Sequence, residues 1–244
     1  AIVSFDGCSF EDIYQSNVAG TANLVNAALA NGVKSMCFVS SIAALGKPNK
    51  KGYIDERCEW IPSKKNSIYS LTKHLAEMEV WRGHAEGLNA VIVQPSVILG
   101  FGLQDRGSTM LLKTIAANSK FYPKGANGFV GIADVVNIMC ILSESNQYYG
   151  QSYIVNAENL TYKELYSIVA KCFNVAPPKY HVPQWLALTV VKIYNLFLRK
   201  AMRISIKAIK ISYKHSYYAN NKIVNALNYD FAPEIGRASC RERV

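Results

Sequence analysis

Tyr69 and Lys73 stand four residues apart, with Ser41 upstream of both. At the start of a helix that spacing stacks the phenol and the ammonium on one face. A carbonyl carbon that gains a hydride leaves an oxygen in need of a proton, and oxidation of the alcohol needs the reverse. A free tyrosine titrates near 10, too high for efficient proton transfer at neutrality. An ammonium beside it stabilises the phenolate, so the pairing predicts a Tyr69 pKa lowered by Lys73. A serine at the end of the preceding strand would hold the substrate oxygen with a hydrogen bond. The Y-x-x-x-K spacing alone equally fits a solvated helix face, so the surrounding elements have to carry weight.

Those elements alternate. Residues 17–30 (NVAGTANLVNAALA) read as a helix that stops at Asn31-Gly32, and Lys34 to Ser41 as a short buried strand. A loop with Pro48, Gly52 and Pro62 follows, then a helix over 70–85 and one continuous apolar strand over 90–99. Helix, strand, loop, helix, strand implies βαβ units and an α/β fold with a doubly wound parallel sheet. Further on, residues 109–117 and 134–143 read as helices and 151–156 as a strand. Thr161 with Glu164 forms a capping box for a helix to Phe173. One long helical stretch over 184–214 and a short helix near 220–227 close the pattern.

Several stretches, in order, resemble the extended short-chain dehydrogenase/reductase family, the NAD-dependent epimerase/dehydratases. Asn17-Val18-Ala19-Gly20-Thr21 is similar to its N-V-x-G-T helix start, and Phe38 to Gly46 (FVSSIAALG) to the strand bearing its serine. Gln94 to Gly100 (QPSVILG) is similar to the strand that packs against the nicotinamide, and Asp134-Val135-Val136 to a later helix start, where Asp134 reads as an N-cap. The resemblance implies Ser41, Tyr69 and Lys73 as catalytic residues. It implies Asn17, Ser40, Tyr69, Lys73, Pro95 and Val97 around the cofactor, NAD or NADP, and Ser41, Ile42, Ala43 and Tyr69 around a small-molecule substrate. No metal site is expected, because the histidines and cysteines are dispersed.

Within the family, dehydratases carry an Asp-Glu pair where this chain has Ile42-Ala43, which cannot move protons. Leu45 stands where sugar-nucleotide epimerases usually have tyrosine. The stretch is closer to the dihydroflavonol reductase and 3β-hydroxysteroid dehydrogenase branch, and its apolar lip favours a hydrophobic alcohol or ketone. A nucleotide-sugar epimerase remains the alternative. A second alternative is a non-catalytic membrane-surface or regulatory protein on the same fold.

The family's glycine-rich turn for the pyrophosphate is not found, and the cluster from Gly100 to Gly107 has the wrong spacing. The resemblance therefore implies that about 80 residues, two to three βα units, precede Ala1. The expected organisation is the C-terminal part of a Rossmann domain over 1–156 and a smaller, mostly helical substrate subdomain over 157–234. Residues 235–244 (IGRASCRERV) read codon by codon as a reverse-complemented sequencing adapter and are set aside.

The formal charge is +10, and removing Arg237, Arg241, Arg243 and Glu242 lowers it to +8. Between Glu164 and Asp230 there is no acidic residue, yet ten lysines and arginines fall there. On a helical wheel Leu186, Val190, Ile193, Phe197, Ala201, Ile204, Ala208 and Ile211 form one apolar stripe. Lys192, Arg199, Arg203, Lys207, Lys210 and Lys214 form a basic one. The favoured expectation is a lid over the substrate pocket with a solvated basic edge; the other is peripheral contact with an anionic membrane through 184–214. Nucleic acid is excluded, since no reader motif accompanies the charge. Scattered cysteines place the protein in a reducing cytoplasm, with membrane contact and oligomerisation left open.

Overall fold

The computed structural model describes Ile2 and residues 9–63, 66–100, 108–117, 119–197 and 206–232. The tail 235–244, residues 101–107 of the glycine cluster, and Arg199, Ala201, Arg203 and Ile204 lie outside these, as does the side chain of Lys207.

The first helix starts earlier than expected. α1 (Phe10–Tyr14) opens on a capping box made by Ser9 and Asp12, runs through a π-helical turn (Gln15–Ala19) and continues as α2 (Gly20–Ala30). A π turn is a one-residue insertion that swings side chains out of register, often at a functional site. Here it contains Asn17 and Val18, both buried.

β1 (Met36–Val39) follows, then the two-residue β2 (Tyr53–Ile54), α3 (Ile68–Ala85) and β3 (Ala90–Pro95). β7 (Gln151–Val155) completes a parallel sheet in the order β1-β3-β7, with Val39 opposite Val93 and Val93 opposite Tyr153. Every residue of β3 is buried, as a central strand covered on both faces requires.

The apolar run over 90–99 is not one strand. It breaks at Ser96, and β4 (Val97–Leu99) joins a second sheet. Pro95 supplies the reason: without an N–H it cannot extend the ladder on that side. Ser96 N instead donates to Val155 O at 3.0 Å, and the chain then turns out of the first sheet. β4 pairs in parallel with β6 (Ala126–Gly131), which pairs antiparallel with β8 (Glu158–Thr161). Neither β6 nor β8 was expected. α5 (Ile132–Ser143) lies between β6 and β7, and α6 (Tyr162–Cys172) starts at Thr161 with the expected capping box.

Two cores result. One gathers Val91, Val93, Val130, Ile138, Val155 and Ile223 of α9 (Asn221–Leu227). The other gathers Leu99, Leu112 and Ile115 of α4 (Ser108–Ala116), Phe129, Leu165 and Val169. Full burial of each such side chain contributes about 1.5–3 kcal/mol. The expected helix over 184–214 is described as α7 (Gln184–Phe197) and the short α8 (Ile206–Ile211). The remaining strands are two-residue pairs: β5 (Phe121–Tyr122) with β9 (Tyr180–His181), and β2 with β10 (Tyr217–Tyr218).

Candidate active site

The C-terminal end of β1 delivers both serines. After Val39 the chain leaves the sheet, and Ser41 caps a single 3-10 turn, Ile42–Ala44. Ser41 Oγ accepts the Ala43 N–H at 3.2 Å, which uses a lone pair and leaves the hydroxyl proton free to donate. Gly46 ends the segment at the only residue type that fits: a Cβ there would lie 1.9 Å from Glu59 O.

α3 supplies the partner side chains. Its N-cap is Ser67, whose Oγ accepts the Ser70 N–H at 3.0 Å, so the helix begins two residues before the expected start and takes Tyr69 into its first turn. Ser70 Oγ in turn donates to Ala43 O at 2.6 Å, which locks the serine turn to the helix. Trp60 stacks on His74 of the same helix, ring centroids 4.4 Å apart, and its Nε1 donates to Ser70 Oγ at 3.4 Å.

The structure brings Ser41 to Tyr69. Burial raises the Tyr69 pKa, and a hydrogen bond with the Ser41 side chain partly offsets that rise. The predicted lowering by Lys73 is therefore not found. Lys73 is only 3% exposed and directs Nζ to Val39 O at 2.9 Å, with the Phe38 ring centroid 4.7 Å away. Its charge is spent on that carbonyl and on Glu77, one turn further along α3. Burial pulls the Lys73 pKa down and Glu77 opposes this.

Glu77 was missed, although Y-x-x-x-K-x-x-x-E is legible as three positions on one helix face. Its carboxylate is 5% exposed and accepts from Gln94 Nε2 at 2.9 Å, tying α3 to β3. Burial pushes its pKa up, while Ser40, Gln94 and Lys73 hold it down. Ser40 Oγ lies against this carboxylate but forms no hydrogen bond of good geometry.

The residues expected around a cofactor occupy one edge. Ser40 follows β1 and Pro95 ends β3, so both lie at the C-terminal ends of neighbouring parallel strands, and Val97, two residues on, opens β4. In open α/β sheets that edge is where ligands bind. Ser96 Oγ is buried there with no protein group in hydrogen-bond geometry, as a polar occupant would require. The residues present thus fit the nicotinamide-ribose end of a dinucleotide.

Asn17 is the exception, because its amide is already engaged. Nδ2 donates to Ile2 O (3.0 Å) and Thr72 Oγ1 (3.2 Å), and Oδ1 accepts the Ile2 N–H at 2.7 Å. It staples the chain before α1 to α3 rather than presenting a free amide. Asp134 also departs from its expected role. Gly131 is the N-cap of α5, and Asp134, in the first turn, accepts the Tyr229 O–H at 2.8 Å.

The chain is 25% identical over 225 residues to a Synechocystis protein assigned as a dihydroflavonol 4-reductase, covering 89% of this chain and 66% of that one. It is 30% identical over 183 residues to the Escherichia coli N-acetyl-alpha-D-glucosaminyl-diphospho-ditrans,octacis-undecaprenol 4-epimerase, covering 72% and 53%. It thus spans about half to two thirds of the length of these relatives. The crystal structure of gox2253 superposes with a TM-score of 0.77 at 26% identity, covering 98% of this chain and 74% of that one. Residues 6–156 match the model of the NAD dependent epimerase/dehydratase family, and the chain belongs to that family.

Proposed function

We propose that the protein is an NAD(P)-dependent oxidoreductase that interconverts an alcohol and a ketone on a small hydrophobic substrate. The observation that carries this reading is the meeting of the Ser41 hydroxyl and the Tyr69 phenol at the C-terminal edge of the sheet, beside Ile42 and Ala43. The cofactor, NAD or NADP, supplies or takes up the hydride when bound. Ser40, Pro95 and Val97 line its side of the site, and Lys73 retains N–H donors beyond the one given to Val39 O for a ribose hydroxyl.

The proton is the chain's own task. Ser41 O–H donates to the substrate oxygen and fixes its position. Tyr69 O–H gives its proton to that oxygen as the carbonyl becomes an alkoxide, and takes it back in the reverse direction. Burial raises the Tyr69 pKa, so the phenol is protonated at neutral pH, and the hydrogen bond with Ser41 works against the rise. Ile42 and Ala43 put no proton-transfer group where dehydratases of the family carry an acidic pair, which speaks against elimination of water.

The likeness to an assigned dihydroflavonol 4-reductase supports the apolar substrate class. The 30% identity to a 4-epimerase supports a second reading, transient oxidation and re-reduction of a sugar carbon at the same site. One assay separates them. The intact protein is supplied with NADH or NADPH and a hydrophobic aromatic or alicyclic ketone. Loss of nicotinamide absorbance matched by alcohol is expected. Inertness toward such ketones, with conversion of a UDP-sugar and no net cofactor consumption, would transfer the assignment to epimerisation.

A further inference from the structure

α7 turns its apolar side outward. Of its fourteen residues only Val191 is buried, while Trp185 (69%), Val190 (56%), Ile193 (58%), Tyr194 (52%), Leu196 (80%) and Phe197 (82%) are exposed. At 3.6 residues per turn these six fall within one half of the helix circumference, and Leu188, Val191 and Asn195 occupy the other. Thr189 also falls in the exposed half, and its hydroxyl is turned back onto Trp185 O at 3.0 Å. The outward half-cylinder therefore shows almost no polar atoms. The part of the sequence-read stripe that lies in α7, Leu186, Val190, Ile193 and Phe197, faces outward.

Exposed apolar faces of this extent mark interaction surfaces. The charge around this one selects the partner. No acidic residue lies between Glu164 and Asp230, against ten lysines and arginines. Of these, Lys179, Lys192, Lys210 and Lys214 are exposed, with Lys192 at the border of the apolar half. A second copy of this chain would bring two such positive regions together, whereas an anionic surface neutralises them. The face also carries Trp185 and Tyr194, which favour the headgroup level of a bilayer. Among the described residues no helix is long and apolar enough to cross a membrane. A fourteen-residue helix is about 21 Å long, short of the roughly 30 Å hydrocarbon layer, so it would lie in the interface plane.

We propose that the exposed face of α7, with the lysines around it, docks the protein peripherally onto an anionic lipid bilayer. This goes beyond the redox reading and does not depend on it, since docking needs no turnover. The test is flotation of the intact protein with vesicles of phosphatidylcholine mixed with phosphatidylglycerol, and with phosphatidylcholine alone. Binding about tenfold or more stronger to the anionic vesicles is expected, with a blue shift of Trp185 emission that Trp185→Phe abolishes. Ile193→Asp with Phe197→Asp changes only exposed side chains, leaves the circular dichroism intact, and weakens binding about tenfold or more. Equal binding by parent and double variant, no preference for the anionic vesicles, or no binding to either would overturn the proposal. So would a parent that self-associates in light scattering, is separated by the double variant and never floats, because a second copy would then own the face.

Discussion

The serine–tyrosine–lysine region and α7 both carry a clear sequence pattern, and they end in opposite environments. In the first, polar side chains are tied to partners on other elements: Lys73 to Val39 O, Glu77 to Gln94, Ser70 to Ala43 O. In the second, apolar side chains from Trp185 to Phe197 are largely exposed. The difference shows what a pattern encodes. Chemistry at a site constrains residue type and spacing together, so the motif implies its own surroundings. An amphipathic period constrains only which residues share a face, and leaves what covers that face to the rest of the molecule.

Substitutions in the two regions should differ accordingly. The largest effect is expected from Lys73→Met, which removes the ammonium but keeps much of the apolar stem. Turnover should fall about a hundredfold or more, as for loss of a group that supports acid/base catalysis. Steady-state kinetics on the folded variant measures this, and a loss of only a few-fold would make the lysine a packing residue like those of α7.

Glu77→Ala comes next. It leaves Gln94 Nε2 buried without an acceptor and should cost about 1–3 kcal/mol in denaturant unfolding. Glu77→Gln keeps an acceptor and should cost much less. The pH dependence separates them further. The folded-state pKa of Glu77 is raised by burial, so its contribution to stability is fully present below the unfolded value of about 4.3 and is lost as pH rises through the folded value. Glu77→Gln should flatten that decline. A parent whose stability rises over the same window would contradict the buried environment.

Ser70→Ala should cost about 1 kcal/mol, the worth of one hydrogen bond, and should slow turnover modestly by loosening the Ile42–Ala44 turn. The smallest effect belongs to α7. Leu196→Ala should shift unfolding by no more than about 0.5 kcal/mol, because the side chain is already in water. A loss of several kcal/mol there would mean that the face is covered, and the contrast between the two regions would disappear.

The α/β fold was legible because β1, β3 and β7 are short apolar runs between helices. Ser41, Tyr69 and Lys73 were singled out by the ordered motifs around them rather than by their own spacing, and the structure sets Ser41 against Tyr69 with Lys73 one turn further along α3. The electrostatics at Tyr69 were not: spacing places a lysine on the same face, but the acceptor of its hydrogen bond, Val39 O, comes from another element. The break at Ser96 was signalled by Pro95 yet hidden within an unbroken apolar run. β6 (ANGFVG) has one internal glycine, a second at its end and little alternation, so its strand character comes from pairing with β4 and β8. Asp134 looked like a cap because aspartate favours that role, but Gly131 begins the helix and Tyr229, far along the chain, takes the carboxylate.

The role of Tyr69 is tested most directly by Tyr69→Phe in the intact protein, with turnover and thermal unfolding measured on the same preparation. The phenol oxygen is lost while the ring and its packing stay. Turnover should fall about 10²- to 10⁴-fold with the unfolding transition nearly unmoved. Full activity in a folded Phe variant would contradict the assignment of Tyr69 as the proton donor.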